Sequence, residues 1–363
     1  MSPEDFDYEL PSTAIAQVPV EPRDSARLLV SLAADAAHRR VTDLPEFLGP
    51  GDVLVVNDTR VRPARLRLRR ATGGAVEVLL LEPAGPAGPG GHKQGPAGPG
   101  GHKQGPAGPG GHKQGPATWE ALVRPSRKLP PGTRLEGSDL TVVIGEQLDG
   151  GRRRVEVHGS VEAHGVVPLP PYIRVALADP ERYQTVYARQ AGSVAAPTAG
   201  LHLTHDVLAR CRAAGADVVS IDLAVGLDTF KPIAVDDLDE HVMHTERYSV
   251  PASTMEACAS AHRVVAVGTT TVRALESAAQ GELAGRTELF IRDPFDFKVV
   301  DLLLTNFHFP RSTLLVLLDA FIGARWRDLY ALALTEEYRF LSFGDAMLVG
   351  RRTAERMVGR RPS

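Results

Sequence analysis

The chain has 363 residues, 43% hydrophobic and 23% charged, with a formal net charge of −3. Such a length accommodates two domains, or one large domain with an insertion, around a sizeable core. The charge excludes a general attraction to nucleic acid, two cysteines exclude a disulfide framework, and no apolar run approaches the roughly 18 residues of a membrane span.

The N-terminus is acidic and mixed, without the basic start and apolar run of a signal peptide, and Cys211 and Cys258 make no C-x-x-C pair. A reduced, cytoplasmic protein is therefore expected. Residues 53–57 read as an apolar strand. From 64 to 70 small or apolar residues alternate with arginine, which puts Arg65, Arg67 and Arg69 on one face. Residues 75–82, 118–123, 140–144 and 153–157 are further short β runs bounded by Gly or Pro. Successive strands without helices predict a small antiparallel barrel. Between two of them, residues 85–114 repeat GPAGPGGHKQ three times; Pro and Gly at that density bury nothing, and a flexible surface loop is expected. Its equally spaced His92, His102 and His112 are read as repeat slippage rather than a metal site.

Beyond about Pro168 the rhythm changes. A helix over 204–214 has Thr204 as N-cap and Gly215 as its stop. A strand over 217–225, a helix over 253–262, a strand over 264–267 and a helix over 270–279 follow. The last pair is a strand over 299–305 and a helix over 312–322. Alternating strands and helices predict a mostly parallel sheet. The fold class is thus α/β, with residues 1–63 and 165–363 forming the main domain and 64–164 an inserted β-barrel.

There is no G-x-G-x-x-G after a strand, no G-x-x-x-x-G-K-[ST] loop and no G-x-S-x-G elbow. His241 and His244, with Glu246 nearby, have a metal-like spacing but lack further ligands, so no metal is expected. Six arginines between Arg60 and Arg70, the triplet Arg152 to Arg154, and Arg351, Arg352, Arg356, Arg360 and Arg361 form basic clusters. Each is either a solvated face or a phosphate track.

Polar residues gather after several strands, where α/β sheets place ligands. Gly268, Thr269 and Thr270 open a helix whose free N–H groups suit an anion, with Arg273 and Glu276 on one face of it. An N-cap with a surface ion pair explains the same residues. Small residues precede His202 in SVAAPTAGLH, which contains Thr198. Asn306, His308 and Arg311 follow the strand at 299–305, and Asp58 and Arg60 follow the one at 53–57.

Taken together, FDYELP at Phe6, IAQVPVEPRDSARLLV at Ile15, GDVLVVNDTRVRPARL at Gly51 and LVRPSRKLPPG at Leu122 form one pattern. It continues through PPYI at Pro170, ERYQTVYA at Glu181, GSVAAPTAGLH at Gly192, VGLDTFKPI at Val225 and MHTERY at Met243. VAVGTTTVRALES at Val265, TNFHFPRSTLL at Thr305 and YRFLSFGDAML at Tyr338 complete it. The chain resembles the S-adenosylmethionine:tRNA ribosyltransferase-isomerases of queuosine biosynthesis. The resemblance implies a barrel-like α/β domain with a small inserted β-barrel. It also implies transfer and isomerisation of the ribosyl moiety of S-adenosylmethionine onto 7-aminomethyl-7-deazaguanine at position 34 of a tRNA with a GUN anticodon. S-Adenosylmethionine is then a co-substrate, with no bound cofactor, no metal and no membrane, and the protein a monomer. Candidate catalytic residues are His202, His308 and Asp58. Candidate substrate contacts are Arg60, Thr198, Gly268, Thr269, Thr270, Arg273, Glu276, Asn306 and Arg311, and candidate tRNA contacts are Arg65, Arg67 and Arg69. Asp228 stands where the family pattern is VGLGTF, and the triple repeat is not a family feature. A ribosyltransferase acting on a small deazapurine and a non-catalytic RNA-binding module remain as alternatives.

Overall fold

The structure is a computed structural model that describes residues 1–33, 35–84, 117–226 and 232–352. The repeat at 85–114, Asp228, Arg356, Arg360 and Arg361 lie outside the described residues. The chain divides into one unit of Met1–Val61 with Leu169–Ser363, and a second of Arg62–Pro168.

The first unit begins with β1 (Arg27–Ser31), β2 (Ala37–Arg40), β3 (Asp52–Asn57) and β4 (Thr59–Val61). The second holds β5 (Arg65–Arg70), β6 (Ala75–Pro83), β7 (Ala117–Arg124), β8 (Arg134–Glu136), β9 (Thr141–Gln147), β10 (Arg152–His158) and the short helix α1 (Val161–His164). The first resumes with β11 (Gln190–Ser193), helix α2 (His205–Ala213), β12 (Asp217–Leu223), β13 (Glu246–Ser249), helix α3 (Ala252–Ser260) and β14 (Arg263–Val267). It ends with helix α4 (Thr269–Ala278), β15 (Ala284–Thr287), β16 (Leu302–Asn306), helices α5 (Thr313–Ile322) and α6 (Arg325–Thr335), and β17 (Ala346–Gly350).

The first unit is built on a nine-stranded sheet in the order β15-β13-β12-β3-β14-β16-β17-β1-β2. Four of its pairings are parallel and four antiparallel, so the sheet is mixed where the strand–helix rhythm predicts a mostly parallel one. One cause is the connection from β16 to β17. Two consecutive helices, α5 and α6, bring the chain back to the end where β16 finished, and β17 then runs antiparallel to it.

Both faces of the central strands are buried, which is why they read as continuous apolar runs. Val53 and Val55 of β3, with Val264 and Ala266 of β14, pack into the core that includes Val272 of α4, Leu315 of α5 and Trp326 of α6. Leu54, Val56, Val265 and Val267 pack into the opposite core, with Val207 and Cys211 of α2. The caps fall where the sequence places them. Thr204 accepts from the Val207 N–H at 3.1 Å, and Ser312 accepts from Leu315 at 3.3 Å. Gly215 ends α2 at φ +99°, with Pro50 so near that a Cβ there would lie 2.8 Å from its ring. Strand β16 starts at Leu302 rather than 299, because the N–H groups of Lys298, Val299 and Val300 donate to the Glu276 carboxylate instead of to a neighbouring strand.

The second unit is a closed antiparallel barrel in the order β10-β7-β6-β5-β8-β9. Strand β8 is only three residues long, too short to show an alternation. Along β5, Leu66 and Leu68 are buried, Arg67 and Arg69 are exposed, and Arg65 lies 3.7 Å from Glu77. The β6–β7 register runs as far as Pro83 opposite Trp119, with the Ala84 N–H donating to Thr118. Among the described residues no helix is long and apolar enough to cross a membrane.

Candidate active site

Strands β12, β3, β14 and β16 are adjacent and mutually parallel, so their carboxyl ends share one edge of the sheet. That edge is where a parallel sheet presents ligand-binding groups. A cleft enclosing about 590 Å³, mouth included, opens there. Val225 reaches it from beyond β12, Gly268, Thr269 and Thr270 from beyond β14, and Thr305 to Phe309 from the end of β16. Pro197, Thr198, Tyr172, Leu341 and Ser342 complete much of the wall. Asn57, the last residue of β3, lies behind it. Its amide accepts from the N–H groups of Leu223 and Thr59, and donates to the Leu223 carbonyl at 3.0 Å and to Thr270 Oγ1 at 3.4 Å.

Gly268 makes the turn from β14 into α4 at φ +88°, a region that favours glycine. Thr271 closes the first turn through its Oγ1 to the Val267 carbonyl at 2.7 Å. The N–H groups of Thr269 and Thr270 have no acceptor among the described residues. They are the unsatisfied donors at the positive end of a ten-residue helix, and their residues line the cleft.

Asn306 is braced from two sides. Thr198 Oγ1 donates to its Oδ1 at 2.9 Å, and its Nδ2 donates to His202 Nε2 at 3.1 Å. The proton of a neutral His202 is thereby on Nδ1. His308 lines the cleft itself. Its N–H donates to Tyr330 Oη at 2.8 Å and its carbonyl accepts from Tyr8 Oη, which fixes the backbone. Its Nε2 lies 3.0 Å from Thr305 Oγ1, while Nδ1 makes no hydrogen bond among the described residues. Burial pushes the His308 imidazole down to about 3. Burial also lowers His202, to about 4, against an upward pull from Asp345. Both rings are therefore neutral near pH 7. Tyr172, whose hydroxyl is 2.6 Å from Ser342 Oγ, is pushed by burial up to about 12.

Seven of the expected site residues meet here: Thr198, Gly268, Thr269, Thr270, Asn306 and His308 line the cleft, and His202 reaches it through Asn306. Five others lie elsewhere. The Arg273 guanidinium is buried against Glu246 of β13 and donates to the Leu289 carbonyl, so it is not free to fork onto a ligand carboxylate. Glu276 is occupied by the N–H groups of residues 298–300. Asp58 pairs with Arg189 at 3.2 Å, Arg60 with Glu181 at 2.6 Å, and Arg311 with Glu4 at 2.8 Å and Asp7 at 3.5 Å. The His241 ring packs on Phe290, and among the described residues no three His, Cys, Asp or Glu are grouped to hold a metal. Tyr172, Phe309 and Ser342 were not among the expected site residues. The only sequence signal for them is their place inside PPYI, TNFHFP and FLSFGD.

Residues 3–349 match the family model described as queuosine biosynthesis protein. An S-adenosylmethionine:tRNA ribosyltransferase-isomerase from Thermus thermophilus is 48% identical over 372 aligned positions, covering 95% of this chain and 99% of the relative. Another, from Moorella thermoacetica, is 46% identical over 368 positions, covering 95% and 99%. The crystal structure of an S-adenosylmethionine tRNA ribosyltransferase from Thermotoga maritima is 34% identical, with a TM-score of 0.50 and coverage of 95% of this chain and 99% of that one.

Proposed function

This chain belongs to the queuosine biosynthesis protein family, and we propose that it transfers and isomerises the ribosyl moiety of S-adenosylmethionine onto 7-aminomethyl-7-deazaguanine at position 34 of tRNA. Epoxyqueuosine-tRNA, adenine and methionine are the products. The observation that carries this reading beyond the family is the cleft at the carboxyl ends of the parallel strands. It combines free helix N–H groups, aromatic faces and a neutral imidazole in one cavity.

The N–H groups of Thr269 and Thr270 suit the methionine carboxylate. The rings of Tyr172 and Phe309, 5.4 Å apart, offer π faces to the sulfonium. The sulfonium acidifies the adjoining 5′ carbon. His308 takes the 5′ proton on Nδ1, with its Nε2–H directed to Thr305 Oγ1. The imidazolium so formed passes that proton on to departing adenine. The opened ribose is attacked by the aminomethyl nitrogen, and ring closure expels methionine. Asn306, aligned by Thr198 and His202, keeps an amide hydrogen for a developing oxyanion. His202 is then a positioning residue. The exposed arginines of β5, Arg67 and Arg69, together with Arg65, are the contacts proposed for tRNA phosphates, a role that the exposure of the first two supports. The acceptor is a tRNA with a GUN anticodon, S-adenosylmethionine is the donor, and the enzyme works as a cytoplasmic monomer without a bound cofactor.

Adenine release from S-adenosylmethionine tests the reading. It is expected only with tRNA bearing the aminomethyl base, and His308→Gln is expected to lower it about 10²-fold or more while preserving S-adenosylmethionine binding. Equal release with the free base identifies a small-molecule enzyme, and tRNA binding without any release identifies a binding module.

A further inference from the structure

A second, smaller pocket, about 220 Å³ with its open mouth included, adjoins the cleft. Among the described residues, Arg23, Arg182 and Arg339 are the only charged side chains in its wall, and His202, which also lines it, is neutral. Ser342 lines both cavities, and the His202–Asn306 hydrogen bond links the walls of the two.

The three guanidiniums are held but not neutralised on the pocket side. Arg182 is tied to Glu21 and to the Val20 carbonyl at 2.8 Å, and Arg339 to Asp345 and to the Val18 carbonyl, both at 3.4 Å. Neither Glu21 nor Asp345 lines the pocket. Arg23 donates to the Gln184 carbonyl at 3.0 Å and has no ion pair among the described residues. The concave wall thus carries three guanidiniums, while the carboxylates that act on them, Glu21, Asp179 and Asp345, stand outside it. Burial first, and then Arg182, push the Arg23 pKa down, against upward pulls from Glu21 and Asp179, neither of which lines the pocket.

We propose that this pocket holds a backbone phosphodiester of the RNA, next to the nucleotide whose base enters the cleft. The inference rests on the RNA-modifying reading above. A phosphodiester brings the anion that this wall of guanidiniums lacks, and its paired oxygens suit guanidinium forks. The methionine carboxylate of S-adenosylmethionine fits less well. Its neighbouring ammonium needs an acceptor, and among the described residues no carboxylate lines this pocket.

The test is steady-state kinetics of Arg23→Gln, with tRNA and S-adenosylmethionine varied separately over a range of salt. Arg23 is chosen because its removal orphans no carboxylate. The KM for tRNA is expected to rise about tenfold, and the slope of log KM against log salt to flatten by about 0.7, the increment for one phosphate contact on a single strand. The KM for S-adenosylmethionine is expected to stay within twofold. Arg23→Lys should keep the salt slope that Arg23→Gln flattens, a split that a purely structural role would not predict. Should Arg23→Gln fail to fold, Arg182→Gln serves the same comparison. An unchanged tRNA KM and slope in an active variant, or a rise confined to the S-adenosylmethionine KM, overturns the phosphate site alone. A wild-type protein that modifies no tRNA overturns the functional reading, and this inference with it.

Discussion

Acid should destabilise this protein through two particular histidines. His202 and His308 are 5% and 6% exposed and hold folded-state pKa values of about 4 and about 3, against about 6.5 in an unfolded chain. Between 6.5 and those values the unfolded state binds protons that the native state refuses. Stability is therefore fully present above pH 6.5 and falls as the pH is lowered toward the folded values. Each ring contributes a loss of about 1.4 kcal/mol per pH unit, hence about 2 kcal/mol at pH 5 and about 4 kcal/mol for the pair. Against a typical stability of about 5–15 kcal/mol this is a large fraction. Equilibrium urea denaturation from pH 7.5 to 5 measures it directly. The His308→Gln variant should show a pH slope shallower by about 1.4 kcal/mol per unit between pH 6 and 5, whatever its stability at pH 7.5. Parallel profiles for wild type and variant would refute the assignment of a buried, neutral His308.

Arg273→Ala removes the guanidinium paired with the buried Glu246 carboxylate, which keeps the Gly226 N–H at 2.9 Å, so a loss of up to about 3–5 kcal/mol in urea denaturation is expected. In contrast to a direct carboxylate contact, a folded Arg273→Lys protein should keep its S-adenosylmethionine KM within about twofold, measured by adenine release. Glu276→Ala removes the acceptor of three N–H groups and should cost about 2–4 kcal/mol by the same denaturation, with little effect on S-adenosylmethionine affinity. Replacing residues 85–114 with a short Gly-Ser turn should leave the Tm and turnover nearly unchanged. The β6–β7 ladder already closes at Pro83 and Trp119, and loop length costs only about 0.6 kcal/mol per doubling.

Much of this fold is legible because local signals and burial agree. Thr204 and Ser312 announce their helices, and the two-sided burial of β3 and β14 appears as unbroken apolar runs. The alternation of Leu66 and Leu68 with arginine likewise shows which face of β5 is inside. The mixed sheet is not legible, since strand direction depends on how α5 and α6 fold back, and no local pattern encodes that. At the site, Thr198, Asn306 and His308 are readable as polar groups gathered at strand ends. The pairing of Arg273 is not legible, because its partner Glu246 comes from β13, 27 positions away in the chain, and a long-range ion pair leaves no trace in the helix that carries one half of it. Tyr172 and Ser342 arrive from segments without regular structure, and only the fold brings their hydroxyls 2.6 Å apart.

The central claim is tested most directly by mass spectrometry of the nucleoside at position 34, after incubation of the protein with tRNA bearing the aminomethyl base and S-adenosylmethionine labelled with ¹³C throughout its ribose. The account predicts a new nucleoside carrying all the ribose label, formed in step with unlabelled adenine and methionine. Adenine release without label in the tRNA, or an unchanged nucleoside with no adenine released, would contradict it.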